Sequence, residues 1–312
     1  MTKPPSSVGA SSEARIVECY GRRVVLELAD GTHAQAEVFG KRLKVVCGDE
    51  VRIEDNAATH ALQVKEVLPR RTHLTRTDSH GQPEVLAANI TQLVVLISEQ
   101  PKADAYIVDR YLAGAELGDL KAFVVATKAD LGRGDEFTAL LDDYRRAGYD
   151  VFDVGIGDAG SPNNVSKLME ILRDQTSMLV GESGVGKSTL TNALLGNSNQ
   201  LTRKLSDATG EGRHTTVSSA LVLLPFGGAL IDSPGVRDYA PPPVGDSQVA
   251  FAWREFRQYR NTCKFNNCLH LREPGCAITA AVAKNEISSR RYESYKRLIN
   301  LMRQLLPSYE RR

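Results

Sequence analysis

One eight-residue segment restricts the possible folds of this chain more than any other feature. Residues 181–188 read Gly-Glu-Ser-Gly-Val-Gly-Lys-Ser, which matches the GxxxxGK[ST] pattern in full. The segment follows the apolar run 177–180 and precedes a helical pattern over 189–195, and this is the context that a phosphate-binding loop requires. A glycine-rich turn arising by chance would lack that context. The sequence therefore predicts a P-loop nucleotide-binding domain.

The residue types of this loop fit phosphate binding. Glycines let backbone N–H groups converge on the phosphates, and the start of the following helix adds a partial positive charge. Lys187 is expected to reach the β- and γ-phosphates, and the Ser188 hydroxyl to bind Mg²⁺. The residues of the loop predicted to bind nucleotide are Gly181, Glu182, Ser183, Gly184, Val185, Gly186, Lys187, Ser188 and Thr189.

Two downstream segments are predicted to complete the phosphate site. The strand pattern 229–231 ends in Asp232, which is expected to bind Mg²⁺, and the Gly235 N–H is expected near the γ-phosphate. The polar segment before that strand offers Thr216 as a further Mg²⁺ ligand, with Thr215 as the close alternative, in the manner of a mobile switch loop.

The position after Gly235 affects the expected chemistry. Many GTPases orient the attacking water with a glutamine there, but this chain has Val236, which cannot do so. His214, beside the proposed magnesium threonine, is the local candidate, and an exposed loop histidine is the alternative. Intrinsic hydrolysis is therefore expected to be slow. The predicted catalytic residues are Lys187, His214, Thr216, Asp232 and Gly235.

A possible base-recognition motif lies upstream of the P-loop. Residues 127–130 read Thr-Lys-Ala-Asp after an apolar strand pattern, close to the NKxD signature of GTPases. The Asp130 carboxylate can accept hydrogen bonds from guanine N1–H and the 2-amino group, which adenine does not have, and Lys128 can lie along the base. In ordinary GTPases this motif follows the DxPG motif, whereas here it precedes the P-loop by about 50 residues. The order predicts circular permutation, which preserves the site because all the motifs lie at one edge of the sheet.

A cluster of metal-binding residue types follows. Three of the chain's five cysteines lie within 263–276 together with a histidine, and three thiolates with one imidazole form a closed tetrahedral set suited to one structural Zn²⁺. Buried free cysteines beside an incidental histidine are the alternative. The predicted ligands are Cys263, Cys268, His270 and Cys276.

The pattern of the chain predicts a multidomain α/β protein. Short strand patterns over 13–70 indicate an oligonucleotide-binding (OB)-like β-barrel after a disordered tail over 1–12. A linker over 71–84 leads to a circularly permuted P-loop GTPase domain with a mostly parallel sheet over 85–240. A helical zinc-binding domain is expected over 241–312. The barrel has few aromatics for stacking on bases, so a barrel without a ligand is as well supported as an RNA-binding one.

Charge and composition add three expectations. The net charge is +1, but Arg254–Arg312 contains 13 Lys/Arg against 5 Asp/Glu, which suits either an anionic partner or a solvated helical face. The aromatic residues interleaved with these arginines could contact RNA or form core. No apolar run is long enough for a membrane span, and the cysteines indicate a reducing compartment, so we expect a cytoplasmic protein without a membrane partner. We also expect it to be a monomer.

In combination, these motifs resemble the ribosome-small-subunit-dependent GTPase A family (RsgA, also YjeQ). They are the permuted TKAD, GESGVGKST, HTT, DSPGV and the Cys-rich knuckle behind a barrel. The resemblance covers about residues 13–306. It implies a bacterial GTPase that acts late in maturation of the small (30S) ribosomal subunit and is stimulated by that subunit. It also implies that the barrel and the zinc domain contact 16S ribosomal RNA around the GTPase core.

The chain departs from this family at two positions. Thr127 stands where the family usually has Asn, and this predicts weaker guanine binding because the side chain is shorter. Gly155 lies where the family's base-contacting loop is commonly Ser-rich, and its backbone N–H is expected to face guanine O6. Two other functions stay open: an ATP-hydrolysing P-loop regulator, and an RNA-binding zinc module with a relic nucleotide site.

Overall fold

The computed structural model of the chain describes residues 12–40, 42–56, 61–78, 80–155, 162–196, 219–232 and 239–306. They form a small barrel, a large sheet flanked by helices and a helical C-terminal region, as the sequence predicts. No helix within these ranges combines the length and the apolar character that a membrane span needs.

The first five strands close into a barrel with OB-like topology. Around the barrel, β1 pairs with β2, β2 with β3, β3 with β5, β5 with β4, and β4 again with β1. Only the β3–β5 pair is parallel. Alternate residues face the interior, so that Val24 and Leu26 are buried whereas Val25 between them is half-buried. The strands are β1 (Ser12–Tyr20), β2 (Arg23–Leu28), β3 (His33–Val38), β4 (Glu50–Asp55) and β5 (Leu62–Val67).

Most of the segment predicted as a linker over 71–84 belongs to a β-hairpin. Strand β6 (His73–Thr77) pairs antiparallel with β7 (Pro83–Ala88). Asp78 organises the turn, since its carboxylate accepts hydrogen bonds from the backbone N–H groups of His80 and Gln82. The segment is polar and contains glycine and proline because it forms this tight turn, and not because it is an unstructured connection.

Six further strands build the predicted parallel sheet, in the order β10-β9-β8-β11-β13-β12. All neighbouring pairs are parallel except β12 with β13. The strands are β8 (Gln92–Ile97), β9 (Lys121–Ala126), β10 (Val151–Asp153), β11 (Thr176–Val180), β12 (Ser219–Leu223) and β13 (Ala229–Asp232). The helices are α1 (Ala105–Leu117), α2 (Asp135–Arg146), α3 (Pro162–Leu172) and α4 (Lys187–Leu195).

Both faces of this sheet are buried, as the continuous apolar strands predict. On β8, Leu93 and Val95 face one core, which includes residues of α1, α2 and the barrel. Val94 and Leu96 face the opposite core, which includes residues of α3 and α4. Every residue of β8 is therefore buried, and this explains why its sequence has no polar–apolar alternation.

The barrel and the sheet are continuous. The end of β1 pairs with the start of β12, with Glu18 opposite Ala220 and Cys19 opposite Ser219. At a bulge between Ile16 and Glu18, one edge of β1 changes its partner from β4 to β12, while the other edge stays paired with β2. The eleven strands form one sheet with a shared core, so the first two domains are joined by main-chain hydrogen bonds as well as side-chain packing.

The C-terminal region packs on the GTPase domain through buried arginines. It consists of α5 (Asp246–Ala252), a 3₁₀ segment (Arg254–Tyr259), α6 (Ala277–Ala283) and α7 (Ser289–Leu305). Arg291 of α7 is 2% exposed, donates to both carboxylate oxygens of Glu255 at 2.7 and 2.8 Å, and donates to Asp109 of α1 at 2.7 Å. Its neighbour Arg290 pairs with Asp109 and with Asp143 of α2.

The sequence left open whether the arginines of the C-terminal region meet an anionic partner or form a solvated helical face. Arg290 and Arg291 form neither a solvated face nor an RNA-contacting surface, because their guanidinium groups face carboxylates of the GTPase domain. Arg254 is used in the same way, since it pairs with Glu116 of α1 and donates to the Gly148 carbonyl.

Candidate functional site

The P-loop connects the end of β11 to the start of α4, as the motif predicts. Gly181, Gly184 and Gly186 all have positive φ angles, which only glycine adopts without strain. At Gly181 a Cβ atom would also lie 2.5 Å from the Leu96 carbonyl oxygen, so no larger residue fits. The Lys187 ammonium donates to the carbonyl oxygens of Gly181 and Glu182, both at 2.8 Å, and therefore lies over the loop where phosphates are expected.

The proposed base-recognition segment lies beside this loop. Lys128 adopts a left-handed conformation at φ 57°, and its ammonium donates to the Gln100 carbonyl oxygen at 2.6 Å. Asp130 is exposed at the start of a 3₁₀ turn, where its carboxylate can meet a ligand. Gly155 lies against it, because a Cβ atom at Gly155 would be 2.8 Å from the Asp130 carboxylate. The structure thus brings together the two residues that the sequence assigns to guanine.

Thr127 does not point toward the expected base position. It is buried, and its hydroxyl lies 2.6 Å from the Val185 carbonyl oxygen of the P-loop and 3.1 Å from the Ile97 carbonyl oxygen. Its side chain also packs 3.7 Å from the position of a Cβ atom on Gly186. The threonine therefore links the end of β9 to the P-loop.

Asp232 has the environment of a metal-binding carboxylate. It ends β13 in a buried position, and its Oδ1 atom has no hydrogen-bond partner among the described residues. Burial raises the pKa of this carboxyl, and the positive charge of Lys187 opposes that shift. A buried carboxylate oxygen without a partner costs free energy unless a cation neutralises it. The chemistry of Asp232 therefore fits Mg²⁺, with Ser188 available as a second oxygen ligand at the start of α4.

Three predicted catalytic residues lie outside the described residues. His214 and Thr216 belong to 197–218, and Gly235 belongs to 233–238. Their roles stay predictions. The described part of the site contains the whole P-loop, the Thr127–Asp130 motif, Gly155 and Asp232.

The four predicted zinc ligands converge. One ligand atom of each, from Cys263, Cys268, His270 and Cys276, lies within 4.8 Å of all the others. The His270 Nδ1 atom is 3.5 Å from the sulfur atoms of both Cys263 and Cys276, which are 4.0 Å apart. Tetrahedral zinc with bonds of about 2.3 Å to sulfur and 2.0 Å to nitrogen separates its ligands by roughly 3.5–3.8 Å. The cluster therefore fits Zn²⁺ through Nδ1 of His270, with no open position for catalysis.

The surroundings of the cluster hold it in shape. The hydroxyls of Tyr292 and Tyr295 on α7 donate to the carbonyl oxygens of His270 and Leu269 at 2.7 and 2.6 Å. The Glu273 carboxylate accepts hydrogen bonds from three backbone N–H groups of the same loop. Burial alone would raise the pKa of Glu273. These three hydrogen bonds, together with one from the backbone N–H of Glu273 itself, lower that pKa to about 2.

Comparison with known proteins agrees with this geometry. Residues 67–240 match the model of the RsgA GTPase family. The chain belongs to this family. The family match spans the end of the barrel, the hairpin and the whole region that carries the P-loop, Thr127–Asp130 and Asp232, so the resemblance predicted from the motifs is confirmed.

Relatives in the RsgA family match nearly the whole chain. A protein of Nitrosomonas europaea, named small ribosomal subunit biogenesis GTPase RsgA, is 34% identical over 306 residues, covering 97% of this chain and 95% of the relative. A protein of the same name from Actinobacillus pleuropneumoniae serotype 3 is 38% identical over 282 residues, covering 87% of this chain and 81% of the relative.

Two solved structures share the fold. YjeQ from Thermotoga maritima superimposes with a TM-score of 0.70 at 25% identity, covering 94% of this chain and 99% of YjeQ. YloQ, described as a circularly permuted GTPase, superimposes with a TM-score of 0.68 at 23% identity, covering 96% and 98% of the two chains. The predicted fold class is confirmed, including the barrel before the GTPase domain.

One buried residue of this region is not indicated by any motif in the sequence. Tyr239, shortly after Asp232, is fully buried and stacks on Tyr111 of α1 with ring centroids 4.5 Å apart. Its hydroxyl donates to the Thr75 carbonyl oxygen of the hairpin at 3.1 Å. The signal in the sequence is Gly114 in the last turn of α1, where a Cβ atom would lie 2.1 Å from the Tyr239 hydroxyl oxygen.

Proposed function

We propose that this chain binds GTP with Mg²⁺ and hydrolyses it to GDP and phosphate during assembly of the small ribosomal subunit, in the cytoplasm. The observation that carries the proposal is the P-loop together with the contact of Asp130 with Gly155 and the buried Oδ1 atom of Asp232, which has no hydrogen-bond partner among the described residues. Its RsgA relatives are named for small-subunit biogenesis, which supports the ribosomal partner.

The residues of the site have distinct roles in this proposal. Backbone N–H groups of 181–188 hold the α- and β-phosphates, and Lys187 exchanges its loop carbonyls for the β- and γ-phosphate oxygens. Ser188, Asp232 and Thr216 hold Mg²⁺, which when bound offsets phosphate charge. The Gly235 N–H approaches the γ-phosphate, and His214 orients the attacking water.

Guanine selection rests on Asp130, with its carboxylate accepting from N1–H and the 2-amino group and the Gly155 N–H donating to O6. Since the Lys128 ammonium already lies against the Gln100 carbonyl, its alkyl chain can cover one face of the base.

The zinc cluster is structural in this proposal. One Zn²⁺ held by Cys263, Cys268, His270 and Cys276 fixes the loop that α7 supports. The zinc domain and the barrel contact 16S rRNA, and the protein acts as a monomer.

The test is turnover of GTP and of ATP with Mg²⁺, with and without isolated small ribosomal subunits. We expect slow, GTP-selective hydrolysis that rises strongly with subunits, and none from a Lys187→Ala variant. Turnover indifferent to subunits would remove the ribosomal partner and leave the GTPase. Equal use of ATP would remove the guanine assignment and favour the ATP-hydrolysing alternative, and an absence of nucleotide turnover in every condition would favour the relic site.

A further inference from the structure

The surface of the C-terminal region contains an aromatic groove of about 450 Å³. It lies between α5, the end of the 3₁₀ segment and the loop that joins Cys263 to Cys268, and the zinc-cluster residues Cys263, Cys268 and His270 form part of its wall. Phe251 and Phe265 line it and are 48% and 41% exposed. Five large apolar side chains are exposed in the described part of the chain, and this groove contains two of them. We call it the Phe251–Phe265 groove.

The groove has a positive electrostatic character. No carboxylate lines it among the residues that the structure describes. The Arg260 guanidinium lies 4.3 Å from the ring centre of Phe251, and the Lys264 ammonium lies 5.6 Å from that of Phe265. Neither cation forms an ion pair with a described carboxylate, whereas the nearby Arg257 pairs with Glu116. Two cations are thus free to meet an anion beside two exposed rings.

We propose that the Phe251–Phe265 groove binds one or two unpaired nucleotides of single-stranded RNA. Bases stack on the exposed faces of Phe251 and Phe265, and Arg260 and Lys264 meet the adjoining phosphates. The inference rests on the proposed function, which gives the chain an RNA-rich partner. An acidic peptide would use the cations but leave both rings exposed, so the rings favour RNA.

The zinc cluster gives this groove a fixed wall. Phe265 lies between the ligands Cys263 and Cys268, and the Lys264 N–H donates to the Gly275 carbonyl oxygen at 3.0 Å across the knuckle. A short loop held at both ends loses little conformational entropy when a ligand binds. Metal binding and RNA binding are therefore linked, with zinc positioning the ring and taking no part in contact with RNA.

The test is the affinity of the full-length, zinc-loaded protein for a labelled single-stranded RNA of about 12 nucleotides, measured by fluorescence anisotropy. Phe251→Ala and Phe265→Ala are each expected to weaken binding by about tenfold, since stacking of one base contributes on that order. Phe251→Tyr keeps the ring and is expected to bind like the unchanged protein. Leu223→Ala, which removes a side chain 45% exposed on the GTPase domain, is the matched control and is expected to change nothing.

Several outcomes would overturn the inference. These are unchanged affinity in both alanine variants with zinc content intact, an equal loss in Leu223→Ala, equal binding of duplex RNA, or displacement of the RNA by a polyglutamate peptide at similar concentration. Subunit-stimulated GTP turnover of the same proteins separates this inference from the proposed function. Ring-dependent RNA binding without stimulation would support the groove and remove the ribosomal partner, whereas stimulation without ring-dependent RNA binding would do the reverse.

Discussion

The hydroxyl of Thr127 lies 2.6 Å from the carbonyl oxygen of Val185, and this hydrogen bond joins the base-recognition strand to the P-loop. Both residues are buried, and the same hydroxyl is 3.1 Å from the Ile97 carbonyl oxygen at the end of β8. The Thr127 side chain therefore links the segment after β9 to the P-loop. The threonine that stands where the resemblance leads us to expect asparagine contacts the P-loop backbone.

Replacing Thr127 by valine keeps the shape of the side chain and removes the hydroxyl. We expect GTP and GDP to bind about tenfold more weakly, because the buried Val185 carbonyl loses its partner at a cost of about 1–3 kcal/mol, partly expressed in the loop. Thr127→Ser keeps the hydroxyl and is expected to bind nearly normally. Nucleotide affinity measured with a fluorescent guanine nucleotide checks this, and equal affinities for the valine and unchanged proteins would contradict it.

Asp130→Asn is expected to change the base that is preferred. Xanthine carries a carbonyl at C2 where guanine carries an amino group, so an asparagine amide can donate where the aspartate accepted. We expect GTP turnover at a fixed low concentration to fall by at least about 100-fold, because the guanine donors lose their acceptor, while turnover of xanthosine triphosphate rises.

Asp135→Asn, which changes an exposed carboxylate in the first turn of α2, is the matched control for charge. If Asp130→Asn lost GTP and xanthosine triphosphate alike, the residue would support the fold of the loop and would not recognise the base.

The features that the sequence predicted are those in which neighbouring residues act together. The P-loop, the strand ending at Asp232 and the 263–276 knuckle each bring their functional atoms together within one short segment. Local patterns also predicted the barrel and the parallel sheet, because periodicity reports which face of a strand is buried.

The features that the sequence could not predict depend on partners far apart in the chain. Arg291 meets Asp109 across 182 residues, and in the sequence that arginine looks like any other in a basic helix. The pairing of β1 with β12 and the packing of Tyr239 on Gly114 are of the same kind. No local pattern selects one partner for a buried charge from several candidates of the same type.

Arg291→Met is expected to destabilise the protein strongly. The substitution leaves the carboxylates of Asp109 and Glu255 buried, with Arg290 as the remaining described cation on Asp109. Removing one partner of a buried ion pair typically costs about 3–5 kcal/mol. We expect a lower urea midpoint, with earlier exposure of the C-terminal region to protease.

Arg297→Met on the same helix is the control, since Arg297 is exposed and its guanidinium lies 5.8 Å from the Tyr106 ring centre. Its urea midpoint is expected to stay within experimental error of the unchanged protein. Similar losses for the two variants would show that the cost comes from helix α7 and not from the buried ion pairs.

Removing zinc is expected to loosen the C-terminal region without weakening nucleotide binding. In Cys276→Ser the cluster keeps three ligands, and we expect the bound zinc to be lost during dialysis against a chelator that leaves the unchanged protein loaded. Without metal, the loop loses the ion that joins its four ligands and keeps only hydrogen bonds, such as those from Tyr292 and Tyr295, so limited proteolysis should cut within residues 261–275. GTP affinity should stay unchanged, because none of the four ligands contacts 181–188 in the described structure.

Cys19→Ala is the control for loss of a cysteine and should retain zinc, since Cys19 lies in the barrel. Full zinc retention by Cys276→Ser would mean that the cluster does not bind zinc through this sulfur, whereas a parallel loss of GTP binding would mean that the metal supports the nucleotide site as well.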